Sequence, residues 1–335
     1  MKIYKWGEIQ NKFYGSQLIL GNGSSIAIDS RFSYSSLLEH AKKHNHLNND
    51  INELFNFFDT KDFELILRLV WQAAKVNKSL RIEDNKTYNA YINLRNALIQ
   101  TVRAIHPSYE EVLHHLPIIH NFIRSFSVIH TLNYDLILYW AMMYGNDNDD
   151  VFMFKDCFIH GEFKENWRSL TGNYYGKSSI LVFYPHGSLL LGRNVVENEI
   201  KIYRYGDGGI LNTILDAWES EEVVPLFVSE GTPKQKVNAI KNSNYLNTIY
   251  REVLGRFSRK IVIYGWGFGE QDMHILQALK QHSMFYMSFA ISVFGDDQAF
   301  CNRVEDLLRR NFYRCEVYFF DSQSSGCWNN PISEN

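Results

Sequence analysis

The chain has 335 residues, 45% of them hydrophobic and 21% charged, with a formal net charge of −3. That length and apolar content can fill a large core in one or two domains. The near-neutral balance, with Lys42-Lys43 and Arg309-Arg310 as isolated basic pairs, argues against nucleic acid as the main ligand.

Met1-Lys2-Ile3-Tyr4-Lys5-Trp6 has neither the apolar run nor the cleavage site of a signal peptide, and no run of about 20 apolar residues predicts a membrane span. Cys157, Cys301, Cys315 and Cys327 form no Cys-x-x-Cys pair, so a zinc ribbon is not expected; reduced thiols in the cytoplasm are. His44 with His46, and His114 with His115, lack carboxylate partners at a helical spacing, so no metal site is expected.

Residues 17–20 are an apolar run that stops at glycine, which predicts a buried strand entering a tight turn. Ser36 and Glu39 have capping-box spacing and open a helix. The pattern then turns helical as far as Arg124. Ile51, Leu54, Phe55 and Phe58 recur at i, i+3, i+4 and i+7, and Pro107 closes the helix over 88–105.

Strands are expected at 127–132, 180–184, 223–228, 260–264, 289–294 and 316–320, with helices at 136–143, 210–219, 234–254, 272–282 and 297–310. Residues 189–205 suggest an irregular hairpin. This alternation predicts an α/β fold, a Rossmann-like doubly wound and mostly parallel sheet with an inserted all-helical subdomain. The expected division is 1–34 with 125–322 as the nucleotide-binding catalytic domain, 35–124 as the helical insert, and 323–335 as a flexible tail.

Several predicted strands end in polar or glycine-rich turns, and ligands of open parallel sheets bind outside those carboxyl ends. Gly21-Asn22-Gly23-Ser24-Ser25 could bring backbone amides to a phosphate. The full dinucleotide fingerprint is absent, because Ile26 takes the third glycine position, and a plain strand-to-helix turn would look the same. Asn133 and Asp135, in Thr131-Leu132-Asn133-Tyr134-Asp135, could hold a ribose hydroxyl, a water or a carboxamide, or could simply cap a helix. His186, in Pro185-His186-Gly187-Ser188, is placed as a general base, although a lone histidine is more often structural. Gly231 and Thr232 after one strand, and Gly265, Gly267 and Asp272 after another, are further glycine turns suited to ribose or phosphate.

The order of these motifs resembles the sirtuin-like domains: Gly-x-Gly-x-Ser, then Thr-x-Asn-x-Asp, His-Gly, Gly-Thr and a late glycine turn. The resemblance covers roughly 15–30 and 125–320, and it is nearest to the bacterial sirtuin-like proteins of antiviral defence that hydrolyse NAD. It implies NAD as substrate, with Gly21, Asn22, Gly23, Ser24 and Ser25 around the pyrophosphate and Asn133 positioning the nicotinamide ribose or the attacking water. It further implies Asp135 on the carboxamide, His186 as base, and Gly231, Thr232, Gly265, Gly267 and Asp272 toward the adenosine half. Two departures from the protein-deacylating sirtuins are plain. No cysteine lies between Cys157 and Cys301 to build their zinc module, and the helical insert is large.

The expected activity is metal-independent cleavage of NAD to nicotinamide and ADP-ribose by a regulated toxic effector, off at rest and switched by a partner protein that senses infection, by a nucleotide ligand or by oligomerisation. The alternatives are a non-catalytic NAD or ADP-ribose sensor, and an ADP-ribosyl or acyl transferase.

Overall fold

The computed structural model describes residues 1–33, 36–203, 209–228, 230–256, 258–281 and 286–332. Ser229 of the third glycine turn, the expected element ends at Tyr205 and His282, the boundary pair Tyr34 and Ser35, and tail residues 333–335 lie outside the described residues.

The central sheet holds nine strands among the described residues. Eight are parallel, in the spatial order Ile3–Tyr4, Cys315–Asp321, Met287–Val293, Lys260–Tyr264, Gln17–Leu20, Val128–Thr131, Lys177–Phe183 and Phe152–Lys155. Asn173–Tyr174 adds antiparallel to Lys177–Phe183. Gln17–Leu20, Val128–Thr131 and Met287–Val293 are buried along their whole length, as strands covered on both faces of a parallel sheet should be. The chain thus adopts the expected α/β, Rossmann-like, mostly parallel architecture.

From Gln17–Leu20 the sheet grows one way through Val128–Thr131 and Lys177–Phe183. It grows the other way through Lys260–Tyr264, Met287–Val293 and Cys315–Asp321. The reversal beside Gln17–Leu20 is a topological switch point. Leu20 pairs with both Thr131 and Tyr264, so three strand ends deliver their turns to one place.

The strand expected at 223–228 belongs elsewhere. Val223–Phe227 is an edge strand of a separate five-stranded antiparallel sheet, paired with Gly187–Asn194. Pro225 explains the position, because proline cannot donate to a ladder and is confined to edges and bulges; the register shifts between Pro225 and Leu226. Gly187 and Gly192 allow the close approach: a Cβ at Gly187 would lie 2.3 Å from the Leu226 carbonyl oxygen, and one at Gly192 would lie 2.3 Å from Val223 Cγ1. The irregular hairpin is Gly187–Asn194 with Glu199–Lys201.

Between the first glycine turn and Val128–Thr131 the described elements are helical: Leu37–Lys43, Asn49–Phe57, Phe63–Ser79, Asn85–Ile105, Tyr109–Val112 and Leu116–Ile123, with short 3-10 turns. Ser36, Asn48, Asp62, Asp84 and Ser108 each cap the helix that follows by accepting a backbone N–H. Trp71 Nε1 donates to the Glu221 carbonyl at 3.0 Å, tying these helices to the start of Val223–Phe227.

Residues 323–332 are not the loose tail their Ser, Asn and Gly content suggested. Trp328 is 1% exposed, packs edge-on against Phe122 and beside Tyr264, and donates through Nε1 to the Ser24 carbonyl at 2.8 Å.

Candidate functional site

The turn after Gln17–Leu20 and the turn after Lys260–Tyr264 pack backbone against backbone. Gly21 N–H donates to the Tyr264 carbonyl at 2.9 Å, Gly23 N–H to the Gly265 carbonyl at 2.7 Å, and Ser24 N–H to the Gly21 carbonyl at 2.9 Å. A Cβ at Gly21 would lie 2.6 Å from Trp266 Cα, and one at Gly23 would lie 2.8 Å from the Gly265 oxygen. Gly265 has φ +70°, and a Cβ there would lie 2.3 Å from Ser24 N. These three glycines are therefore required by the contact between the turns. The amides of Gly21, Gly23 and Ser24 are spent inside the fold.

Asn133 Nδ2 donates to the Gly21 carbonyl at 3.1 Å, Ser24 Oγ at 3.0 Å and Ser25 Oγ at 2.8 Å. Ser24 Oγ in turn donates a hydrogen bond to the Gly21 carbonyl at 2.8 Å, and Ser25 Oγ donates to Asp135 Oδ2 at 2.5 Å. All three partners of Asn133 are thus acceptors, which fixes the amide orientation. Asp135 Oδ1 accepts from Ile137 N–H at 2.9 Å, although the N-cap position itself is Leu136, which has no side-chain cap, and the same carboxylate anchors Ser25. Burial raises the Asp135 pKa, opposed by nearby His106 and by the hydrogen bond from Ser25. His106 faces the Pro107 carbonyl through Nδ1 at 2.8 Å and accepts from Leu136 N–H through Nε2 at 3.0 Å, the pattern of a neutral ring.

His186 is 4% exposed, and its Nε2 lies 2.9 Å from His274 Nε2. Burial, with Lys236 next in effect, holds the His186 pKa down to about 3; burial holds His274 to about 4 despite Asp272. Both rings are neutral at pH 7, and one Nε2–H donates to the other. Lys236 Nζ donates to Asp272 Oδ1 at 2.8 Å. Burial works to raise the Asp272 pKa, but His186 and Lys236 together hold it below the usual carboxylate value.

One ligand atom each from His186, Asp272 and His274 lie within 4.8 Å of one another, a spacing that could hold a cation and one that the sequence reading did not foresee. Two features favour a hydrogen-bonded arrangement instead. The ammonium of Lys236 already neutralises Asp272, and 2.9 Å between the imidazole nitrogens is an N–H···N contact.

The turns surround one cleft of about 680 Å³, within the ~300–1,000 Å³ of small-molecule and cofactor sites. Gly21, Asn22, Gly23, Asn133 and Asp135 line one part of its wall, and His186, Gly231, Gly265, Gly267 and Asp272 line another. Ser24 and Ser25 sit behind Asn133 as its acceptors. Thr232 stands apart from the wall and caps the helix Pro233–Lys241, accepting from Gln235 N–H at 3.3 Å.

Among the residues of this site that sequence reasoning missed are Glu230, Lys236, Trp266 and His274. Glu230 and Trp266 lie inside the glycine turns already singled out, and His274 follows Asp272 by two positions. Lys236, 4% exposed, carried no local signal. Glu230 Oε2, Trp266 Nε1 and Tyr134 Oη lack hydrogen-bond partners among the described residues, and all three residues line the cleft. Burial pushes the Glu230 pKa up to about 7, against the lowering effect of its hydrogen bond from Leu38 N–H. No helix of the described residues is long and apolar enough to cross a membrane.

No curated protein matches the chain. A solved structure described as "Structural Basis for the Mechanism and Regulation of Sir2 Enzymes" is similar over 92% of this chain and 88% of its own length, at 11% identity and a TM-score of 0.35. The family model described as "Domain of unknown function (DUF4917)" matches residues 18–328, and the chain belongs to that family.

Proposed function

We propose that the cleft binds NAD and hydrolyses its nicotinamide–ribose bond. The observation that carries this reading is the convergence of Gly21–Gly23, Asn133, Asp135 and His186 on one cleft outside the carboxyl ends of the parallel strands. The sequence resemblance adds the dinucleotide. In the reaction, a water oxygen bonds to the ribose C1′ as the C1′–N bond breaks. The bonding pair leaves on the nicotinamide nitrogen, which becomes neutral, and the water proton passes to a base. The transition state has oxocarbenium character, as in glycoside cleavage. His186 is the imidazole on the cleft wall and is assigned the base. Asn133 holds the first glycine turn in register and places the ribose. Such positioned proton transfer contributes a factor of about 10²–10⁴.

Two observations favour a second reading, a module that binds NAD or ADP-ribose without cutting it. His186 Nε2 is already paired with His274, and the Asn133 amide already serves three acceptors. Either group would have to exchange a partner to meet water.

The test is to incubate purified protein with NAD and quantify nicotinamide and ADP-ribose, beside Asn133→Ala and His186→Ala, with and without EDTA. Release that both substitutions abolish and EDTA leaves intact supports a metal-independent hydrolase. Saturable NAD binding without release supports the sensor. Loss of release with EDTA, restored by a divalent ion, would move His186, Asp272 and His274 into a metal site. We further propose that the activity serves antiphage defence and is gated by self-association or by a partner. A fall of cellular NAD only after phage challenge, and the mass of the protein in solution, test those two points.

A further inference from the structure

The described lining residues of the cleft include two buried carboxylates, Asp135 and Glu230, and a half-buried one, Asp272. Two have firm partners in the protein. Asp135 receives Ser25 Oγ on one oxygen and Ile137 N–H on the other. Asp272 is paired with Lys236. Glu230 differs. It is 8% exposed, and its Oε1 accepts from Leu38 N–H at 3.1 Å. The Ser36 hydroxyl and Leu37 N–H also act on the carboxylate, but Oε2 has no partner within 3.5 Å among the described residues. A buried polar atom without a partner is uncommon in native structures and costly to leave so.

Its place in the fold brings it to the reactive part of the cleft. Val228, two residues before it, donates its N–H to the His186 carbonyl at 2.7 Å. Glu230 and His186 line the same cleft. Burial and the nearby carboxyl of Asp62 both raise its pKa. A group in that state gains most from neutral O–H donors, and loses most from a second negative charge beside it.

Resting on the proposed dinucleotide reading, we infer that Glu230 is a specificity-determining residue whose carboxyl group accepts a hydrogen bond from a ribose hydroxyl of the bound ligand. The shared chemistry is the ribose hydroxyl pair. Its source is either the adenosine ribose or the ribose that carried nicotinamide.

Three stable probes separate these sources: ADP-ribose, 2′-phospho-ADP-ribose, which blocks the adenosine hydroxyl, and ADP, which lacks the distal ribose. Their affinities are measured by calorimetry for the full chain and for Glu230→Gln and Glu230→Ala. The expected result is that the native protein binds ADP-ribose about ten- to hundredfold more tightly than one of the other two, the size of one hydrogen bond to a buried charged group. In both variants that ratio falls below about threefold, the residue of discrimination left once such a bond is gone. The 2′-phospho probe being the weak one assigns the adenosine ribose; ADP being the weak one assigns the distal ribose. Glu230→Gln keeps an acceptor for Leu38 N–H and carries the test if Glu230→Ala does not fold. Unchanged ratios in the variants, with ADP-ribose still bound, would overturn the inference and leave Glu230 as a cap for the helix Leu37–Lys43. No binding of ADP-ribose by the native protein would overturn the proposed function along with it.

Discussion

The Nε2 atoms of His186 and His274 lie 2.9 Å apart, and both rings are held neutral by burial. His186 reaches the cleft from the turn before Gly187–Asn194, whereas His274 comes from the helix Met273–Gln281 on the other side of the switch point. The pair joins the two halves of the site through a single proton. Any motion that separates the halves must break it.

A pH dependence of stability follows. Both histidines have pKa values below the ordinary 6.5, at about 3 and about 4. Their contribution is complete above pH 6.5 and is lost as pH falls toward the folded values, because the unfolded chain takes up the protons first. At pH 5 each forfeits about 2 kcal/mol relative to pH 7.5. Urea titrations of the native protein and His274→Ala at pH 7.5 and pH 5 measure this. The variant is less stable at pH 7.5 but loses less on acidification. Buried His130, also held to about pH 3, keeps part of the slope in both proteins. Identical slopes would show that the pair does not titrate with unfolding.

Asn133 is predicted to matter for structure and function together. Asn133→Ala leaves three acceptors without their shared donor and lowers stability by about 1–3 kcal/mol. Asn133→Asp is worse than Ala, because a carboxylate has no donor to offer and places a charge beside Ser24 Oγ, Ser25 Oγ and the Gly21 carbonyl. Denaturation midpoints for the two variants check the order. If Asp were tolerated better than Ala, the amide orientation assigned here would be wrong.

The strand ends are the legible part of this chain. Apolar runs stop at glycine, and the predicted strands 17–20 and 260–264 coincide with the observed ones to the residue. The partner of Val223–Phe227 is not legible in the same way, because a short apolar run looks alike in a parallel and an antiparallel sheet. Pro225 is the signal for an edge. The site shows the same division. The lining glycines, Asn133, Asp135 and His186 come from local turn chemistry. The contact of His186 with His274 spans 88 positions and is set only by how the sheet folds. Trp328 was hidden by the polar composition around it.

The contact between the two glycine turns predicts a sharp contrast between glycines. Gly265→Ala must place a Cβ 2.3 Å from Ser24 N at φ +70°, so the turns have to part; the expected loss is at least about 2 kcal/mol, with weakened NAD binding. Gly7 lies in the short helix Trp6–Ile9 with nothing within 4 Å of a Cβ. Gly7→Ala is neutral or stabilising by up to about 1 kcal/mol. Thermal melts and NAD titrations of the two variants test the contrast, and equal effects would refute the packing account.

Trp328 ties the last described segment to the first glycine turn through the Ser24 carbonyl, directly behind an acceptor of Asn133. Trp328→Phe keeps most of the apolar contact with Phe122 and Tyr264 but leaves that carbonyl without its indole donor, which costs about 1–2 kcal/mol. Trp328→Ala adds a cavity and costs about 3–5 kcal/mol. The informative readout is affinity for NAD under conditions where both variants remain folded. The carbonyl belongs to the turn that Asn133 holds, so Trp328→Phe weakens NAD binding even though Trp328 does not line the cleft. A variant that loses stability while binding NAD as tightly as the native protein would show that the segment supports the core alone, and that the turn keeps its shape without it.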